Sequence, residues 1–128
     1  KRMVAFSAYL ETAIKTTSTN TKVVFGKTRT NIGNAYDPTT GVFTAPIAGV
    51  YVFHWTIMVL SGKHSDINIQ VNGKNQVLLY GNAKSYPNWY SPSQSYVADL
   101  RKGDTVNLSP GGSGGYIHAY STFTGYKL

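Results

Sequence analysis

Alternation of apolar and polar residues dominates this chain. Val4, Phe6 and Ala8 recur at every second position of Val4-Ala5-Phe6-Ser7-Ala8-Tyr9-Leu10. Successive strand side chains point to opposite sides, so these three share one face of a predicted strand. The polar run Thr12 to Asn20 reads as loop, Thr21 to Gly26 as a short strand, and Asn31 to Gly41 as turn-rich. Val42-Phe43-Thr44-Ala45 then restarts extended structure before Pro46. The strongest element follows, from Gly49 to Leu60. There Tyr51, Phe53, Trp55 and Ile57 fall on one face and Val50, Val52, His54 and Thr56 on the other, which predicts a central strand with neither face fully in water.

Further along, Ile67, Ile69 and Val71 alternate with Asp66, Asn68, Gln70 and Asn72, the pattern of a strand with one wet face. Asn72-Gly73 supplies a tight hairpin turn into a strand over Gln76 to Tyr80. Ser95 to Leu100 extends, Lys102-Gly103-Asp104 turns, Thr105 to Leu108 returns, and Tyr116 to Leu128 closes the chain after a glycine-rich loop. About nine or ten short strands with no helix imply an all-β sandwich or barrel. No repeat, linker or shift in composition divides residues 1–128, so the chain reads as a single unit.

Composition narrows the function classes. Twelve Lys and Arg against five Asp and Glu give a formal charge of +7, a field that favours anionic partners at low salt. The cations are scattered: Lys15, Lys22, Lys27, Arg29, Lys63, Lys74, Lys84 and Arg101-Lys102 are separated by neutral residues. Scattering fits a solubilising surface and argues against a nucleic-acid interface, which needs a clustered basic face. Without cysteine there is neither a disulfide framework nor a thiolate site. No apolar run approaches the roughly 20 residues that span a bilayer, so no membrane insertion is expected. Lys1-Arg2-Met3 lacks the apolar core of a signal peptide, although a leader or stalk removed upstream would leave no trace here.

The residues also carry a family resemblance. Phe25, Asn31, Tyr36, Phe43 and Gly49-Val50-Tyr51-Val52-Phe53-His54-Trp55 stand at the spacings of the C1q domain signature, with Trp55 where the pattern has Phe or Tyr. Val97-Ala98-Asp99-Leu100-Arg101-Lys102-Gly103-Asp104-Thr105-Val106-Asn107-Leu108 resembles the family's paired late strands. Ser121-Thr122-Phe123-Thr124-Gly125-Tyr126 resembles its closing strand and Phe6-Ser7-Ala8 its opening one. The likeness runs from about Val4 to Leu128. It implies a ten-stranded jelly-roll β-sandwich shared with the tumour necrosis factor family, assembling as a homotrimer with both termini at the base. Phe43, Tyr51, Phe53 and Trp55 would form aromatic core layers, and Gly49 would keep the strand entry clear. Tyr96, Tyr116, Tyr120 and Tyr126 exceed what one small core requires and suit either a subunit interface or ordinary surface.

Catalysis finds little support, because the acids Glu11, Asp37, Asp66, Asp99 and Asp104 and the histidines His54, His64 and His118 form no recognised constellation. Gly111-Gly112-Ser113-Gly114-Gly115 matches the hydrolase pattern G-x-S-x-G, but the buried strand and helix that make that elbow are missing, so it reads as a flexible glycine loop. Lys63-His64-Ser65-Asp66 either binds a metal or polar ligand or forms a solvated turn. His54 reads as a structural histidine. Asn107-Leu108-Ser109 is a glycosylation sequon that Pro110 directly afterwards disfavours.

The loop from Gly81 to Ser93 carries the candidate binding residues Asn82, Lys84, Ser85, Tyr86, Asn88, Trp89 and Tyr90. Aromatic rings stack on sugar C–H faces while amides and hydroxyls take the hydroxyl groups. The alternative is a loop packed on its own aromatics or on a neighbouring subunit. The resemblance implies calcium held at the trimer apex by an aspartate early in this loop. Here the region reads Tyr80-Gly81-Asn82-Ala83, without the acid and beside Lys84, so calcium is doubtful and no cofactor is firmly implied. Short C1q-like proteins of invertebrates point to a secreted, lectin-like pattern-recognition protein of innate immunity. It would bind glycans or microbial surface molecules such as lipopolysaccharide. The alternative is a protein-binding ligand or extracellular assembly module without sugar binding.

Overall fold

The structure, a computed structural model, describes residues 2–16, 22–111 and 115–128. Among them lie the strands β1 (Ala5–Tyr9), β2 (Ile14–Thr16), β3 (Lys27–Ile32), β4 (Tyr36–Asp37), β5 (Val42–Thr44) and β6 (Gly49–Thr56). These are followed by β7 (Ile67–Val71), β8 (Lys74–Leu79), β9 (Ser93–Leu100), β10 (Thr105–Pro110), β11 (Gly115–Ile117) and β12 (Thr122–Lys127). Two five-stranded antiparallel sheets, ordered β3-β1-β12-β6-β9 and β4-β5-β10-β7-β8, face each other, and β11-β2 forms a small third sheet. This is an all-β jelly-roll sandwich. No helix among the described residues is long and apolar enough to cross a membrane.

Hydrophobic periodicity explains the layers. On β6 the buried residues are Tyr51, Phe53 and Trp55, and facing them from the other sheet are the buried Phe43, Val106, Leu108, Ile67 and Ile69. Rings fill the space between. Phe6 stacks on Tyr36 at 4.7 Å and meets Phe123 edge-on at 5.0 Å, and Phe43 meets Phe53 edge-on at 5.2 Å. Gly125 pairs with both Phe6 and Phe53 across its neighbouring strands. A Cβ there would stand 2.6 Å from the ring of Phe6 and 2.7 Å from that of Phe53, so the absent side chain is what lets the two rings approach. Trp55 adds a polar tie, donating its indole N–H to Ile67 O at 3.2 Å.

The spacing of the signature residues has a local cause. Asn31 at the end of β3 donates from Nδ2 to Tyr36 O at 2.8 Å, clasping the turn that holds Gly33 and Asn34 at positive φ. Tyr36 in turn donates its hydroxyl to Phe25 O at 2.8 Å. Burial pushes the Tyr36 phenol far above its ordinary range, against the smaller opposing effect of that hydrogen bond. The Asn72-Gly73 hairpin forms with φ of 51° and 79°, the left-handed pair its sequence demands.

Several expectations change. Ile14–Thr16, read as loop, is a strand, because Gly115–Ile117 pairs with it from far along the chain; residues 17–20 of the same run lie outside the described residues. Of the strand expected over Thr21 to Gly26, Thr21 lies outside the described residues, and in the rest Val23 makes a lone bridge to Leu108. The regular strand falls instead on polar Lys27–Ile32, which β1 recruits as an edge. The long central strand ends at Thr56. Its second face is open: Val50 and His54 are exposed, and Val97 opposite Val52 is 60% exposed. Tyr96 packs against the core and reaches Gln76 Oε1 at 3.3 Å, closing the edge of the sandwich. At Gly49 the crowding atoms belong to the flexible Lys127 side chain. Asn107 is buried in β10 with its amide bonded to Gln70 Oε1 at 3.1 Å, which leaves no access for a glycan.

Candidate functional site

The register of β6 against β12 pairs Tyr51 with Lys127 and Thr56 with Thr122. The chain's ends therefore lie at the Gly49 end of the sandwich, and the loops after Thr56, after Leu79 and before Thr122 gather at the other. They are stitched together by backbone hydrogen bonds. Tyr90 and Val59 exchange bonds of 2.7 and 3.0 Å, Ala83 N donates to Lys63 O at 2.8 Å, and Gly62 N donates to Ala83 O at 2.8 Å. Segment 81–90 thus lies along segment 59–64 as an irregular extension of the sandwich.

The candidate residues of this loop divide into groups. Asn82 turns back on its own chain, accepting from Lys84 N at 3.0 Å and donating to Tyr80 Oη at 3.4 Å. Tyr86 stacks on Tyr90 with centroids 4.5 Å apart and planes 13° from parallel, and Ser61 Oγ anchors Tyr86 O at 2.6 Å. Lys84, Ser85 and Asn88 are exposed. Trp89 leaves the tyrosine pair and meets His118 edge-on at 4.7 Å, with Tyr120 beside the same imidazole at 5.1 Å. The seven residues therefore do not converge on one point.

Trp89 instead forms one wall of a cleft of about 170 Å³ with Ala13, Leu60, Lys63, Tyr116 and His118. Leu60, Trp89 and Tyr116 are each more than two-fifths exposed, an apolar surface left open at the loop end. Sequence reading did not single out Leu60, His118 and Ala13 as lining residues and left Tyr116 as either subunit interface or ordinary surface. Only the surplus of tyrosine pointed this way, since the wall is drawn from four separate parts of the chain.

Lys63-His64-Ser65-Asp66 is not a solvated turn. Ser65 is fully buried and Asp66 nearly so. His64 Nε2 lies 2.7 Å from Asp66 Oδ1, which also accepts from Gly81 N at 3.1 Å. Ser65 Oγ lies 3.0 Å from Thr16 Oγ1. Glycines make room for this buried strip: a Cβ on Gly111 would stand 2.7 Å from Asp66 Cβ, one on Gly115 2.5 Å from His64 O, and one on Gly81 would strike Ser65 O. Gly111 and Gly115 are thus needed for space, while Gly112, Ser113 and Gly114 of the elbow-like motif lie outside the described residues. His64, Ser65 and Asp66 brace the loops, while Lys63 stays exposed.

The groups considered for calcium are engaged within the chain. Asn82 Oδ1 is committed to a backbone amide, Asp66 to His64 and Gly81, and no three His, Cys, Asp or Glu among the described residues come together to hold a metal ion.

The family description of the C1q domain matches residues 5–128. The chain belongs to the C1q domain family. Among curated relatives, heavy metal-binding protein HIP of Mytilus edulis is 34% identical over 129 residues, covering 98% of this chain and 60% of its own length. Complement C1q tumor necrosis factor-related protein 3 of Homo sapiens is 34% identical over 134 residues, covering 98% of this chain and 51% of its own. This C1q domain therefore spans between about half and three-fifths of those relatives. The globular domain of zebrafish complement 1qA protein superposes with a TM-score of 0.78 at 22% identity, over 98% of this chain and 97% of that one. Eiger TNF from S. frugiperda superposes with a TM-score of 0.80 at 11% identity, over 100% and 94%. These likenesses show the jelly-roll fold, and the family match makes the chain a C1q-type module.

Proposed function

We propose that this C1q domain is a secreted, non-enzymatic, lectin-like recognition module that binds glycans or microbial surface molecules through its loop end. The supporting observation is the open aromatic wall of Trp89, Tyr116 and His118, with Tyr120 beside it at 74% exposure. Rings held edge to edge and left open to solvent suit stacking against sugar C–H faces, and Ser85 and Asn88 on the same loop offer hydroxyl and amide partners. A glycan array on the wild type and Trp89→Ala tests this: at least one sugar class bound by the wild type and lost in the variant is expected. No sugar bound by either would instead favour the protein-binding reading.

A homotrimer belongs to the same proposal. On the outer face of the first sheet, Val52 lies between Val97 and Tyr126 in one cross-strand row, with Val50 exposed nearby. An apolar row on a central strand calls for cover, and two further copies would supply it. Sedimentation of the wild type should give three times the chain mass; a monomer would remove this part of the proposal. Heavy-metal binding, which the mussel relative carries in its name, finds no three-ligand cluster among the described residues here.

A further inference from the structure

We infer that Asn72 is a site of spontaneous covalent modification, at which Gly73 N attacks the side-chain carbonyl carbon, and that a clamp from Asp104 and Thr105 restrains the reaction while the chain is folded. Of the chain's asparagines, Asn72 alone precedes a glycine. Gly73 carries no side chain to obstruct its own nitrogen, and a Cβ placed on it would meet nothing within 4 Å. Both residues are exposed in the hairpin turn, at φ of 51° and 79°.

The chemistry needs no partner molecule other than water. The Gly73 amide nitrogen loses its proton and bonds to Asn72 Cγ, the Cγ–Nδ2 bond breaks, and Nδ2 departs with its protons as ammonia. A cyclic imide is left. Water then opens the ring: cleavage between Cγ and Gly73 N gives aspartate in a normal chain, and cleavage at the main-chain carbonyl gives isoaspartate, whose chain runs through Cγ.

Folding opposes the first step. Asn72 N donates to Thr105 O at 2.9 Å, and Asn72 Oδ1 accepts from Thr105 N at 3.0 Å. The side-chain carbonyl thus stands in the ladder where a backbone carbonyl would, one pair beyond Val71 and Val106. At its other end Nδ2 donates to Asp104 Oδ1 at 3.1 Å. Cγ must leave both partners to swing back onto Gly73 N, and the carboxylate beside it opposes the negative charge that the attack places on Oδ1. Asn34 supplies the comparison, because it has nearly the same φ, 52°, but precedes Ala35, whose Cβ crowds the attacking nitrogen.

The reaction removes its own restraint. Aspartate at position 72 has no amide to give Asp104 and sets a second negative charge against it, while isoaspartate also lengthens the chain within the turn. Either product loosens the junction between the β7–β8 hairpin and the turn after β9, so the mark accumulates with the age of the molecule and weakens this end of the sandwich.

Trypsin releases residues 64–74 as one peptide, since Lys63 and Lys74 bound it. Mass spectrometry and chromatography of that peptide, from full chain held in mildly alkaline buffer at physiological temperature, read the reaction directly. In wild type unfolded by guanidinium chloride, aspartate and isoaspartate should appear at position 72 well ahead of any change at Asn68 or Asn34. In folded wild type the same reaction should run at least about tenfold slower, as expected when a pair of hydrogen bonds must break first. Asp104→Asn keeps an acceptor for Arg101 N but turns a donor toward Asn72, so it should raise the folded rate about threefold to tenfold at a temperature where unfolding curves show it folded. An unfolded chain unreactive at Asn72 would overturn the site. A folded rate equal to or above the unfolded one, or unmoved by Asp104→Asn, would overturn the clamp. The folded-against-unfolded comparison in wild type decides this even if the variant fails to fold.

Discussion

Two groups of aromatic rings in this C1q domain meet at similar distances and serve different ends. Phe6, Tyr36, Phe43, Phe53 and Phe123 make ring contacts at 4.7 to 6.4 Å and are at most 3% exposed. Trp89, His118 and Tyr120 lie 4.7 and 5.1 Å apart, yet Trp89 is 44% exposed and Tyr120 74%. Ring contact is therefore not what makes a core. The first group is enclosed by two sheets whose alternation aims every second side chain inward. The second is held by loops that have no opposing layer, so its apolar surface is available to a ligand.

Substitutions can break or sharpen this contrast. Phe53→Ala should have the largest effect, a loss of about 3–5 kcal/mol in urea unfolding, because it leaves a cavity among rings that cannot all collapse. Gly125→Val should come next, at about 1–3 kcal/mol, since the new side chain meets both Phe6 and Phe53; an unchanged urea midpoint would show that the core yields there. Trp89→Ala should cost less than about 1 kcal/mol in the same measurement while abolishing sugar binding. A cost like that of Phe53→Ala would place Trp89 with the core and erase the distinction.

The smallest effect belongs to the turn at the opposite end. The carboxyl of Asp104 is held below its ordinary range chiefly by Arg101 N, at 2.8 Å, and then by the side-chain amide of Asn72. A depressed carboxylate stabilises the fold at pH above its unfolded value, and that contribution disappears as the pH falls through the lower folded one. The gap in urea midpoint between wild type and Asp104→Asn should therefore be widest near neutral pH and close in acid. A gap independent of pH would show that the carboxylate's charge plays no part.

The two groups also differed in how far they could be read from the chain. Tyr51, Phe53 and Trp55 follow a period of two over a long strand, and that period named them as core. Asn31 and Tyr36 stood at signature spacings whose cause, a clasped turn and a hydroxyl bonded to Phe25 O, became visible only in three dimensions. Trp89 was named as a candidate binding residue from loop composition, and it does line a cleft. Its partners Leu60, Tyr116 and His118 were not so named, because no local pattern links residues so far apart in sequence. For the same reason His64-Ser65-Asp66 read as a wet turn: its burial depends on Gly81, Gly111 and Gly115 arriving from elsewhere.

Alternation, turn residues and the spacing of Phe25 through Trp55 by themselves determined the all-β architecture, the core face of β6 and the Asn72-Gly73 hairpin, since each depends on neighbours within a few residues. Tertiary structure alone decided that polar Lys27–Ile32 becomes an edge strand, that Ile14–Thr16 pairs with Gly115–Ile117, and that Trp89 opens onto His118 and Lys63. Those outcomes rest on pairings and packing between distant segments, whose energies no local stretch of sequence contains.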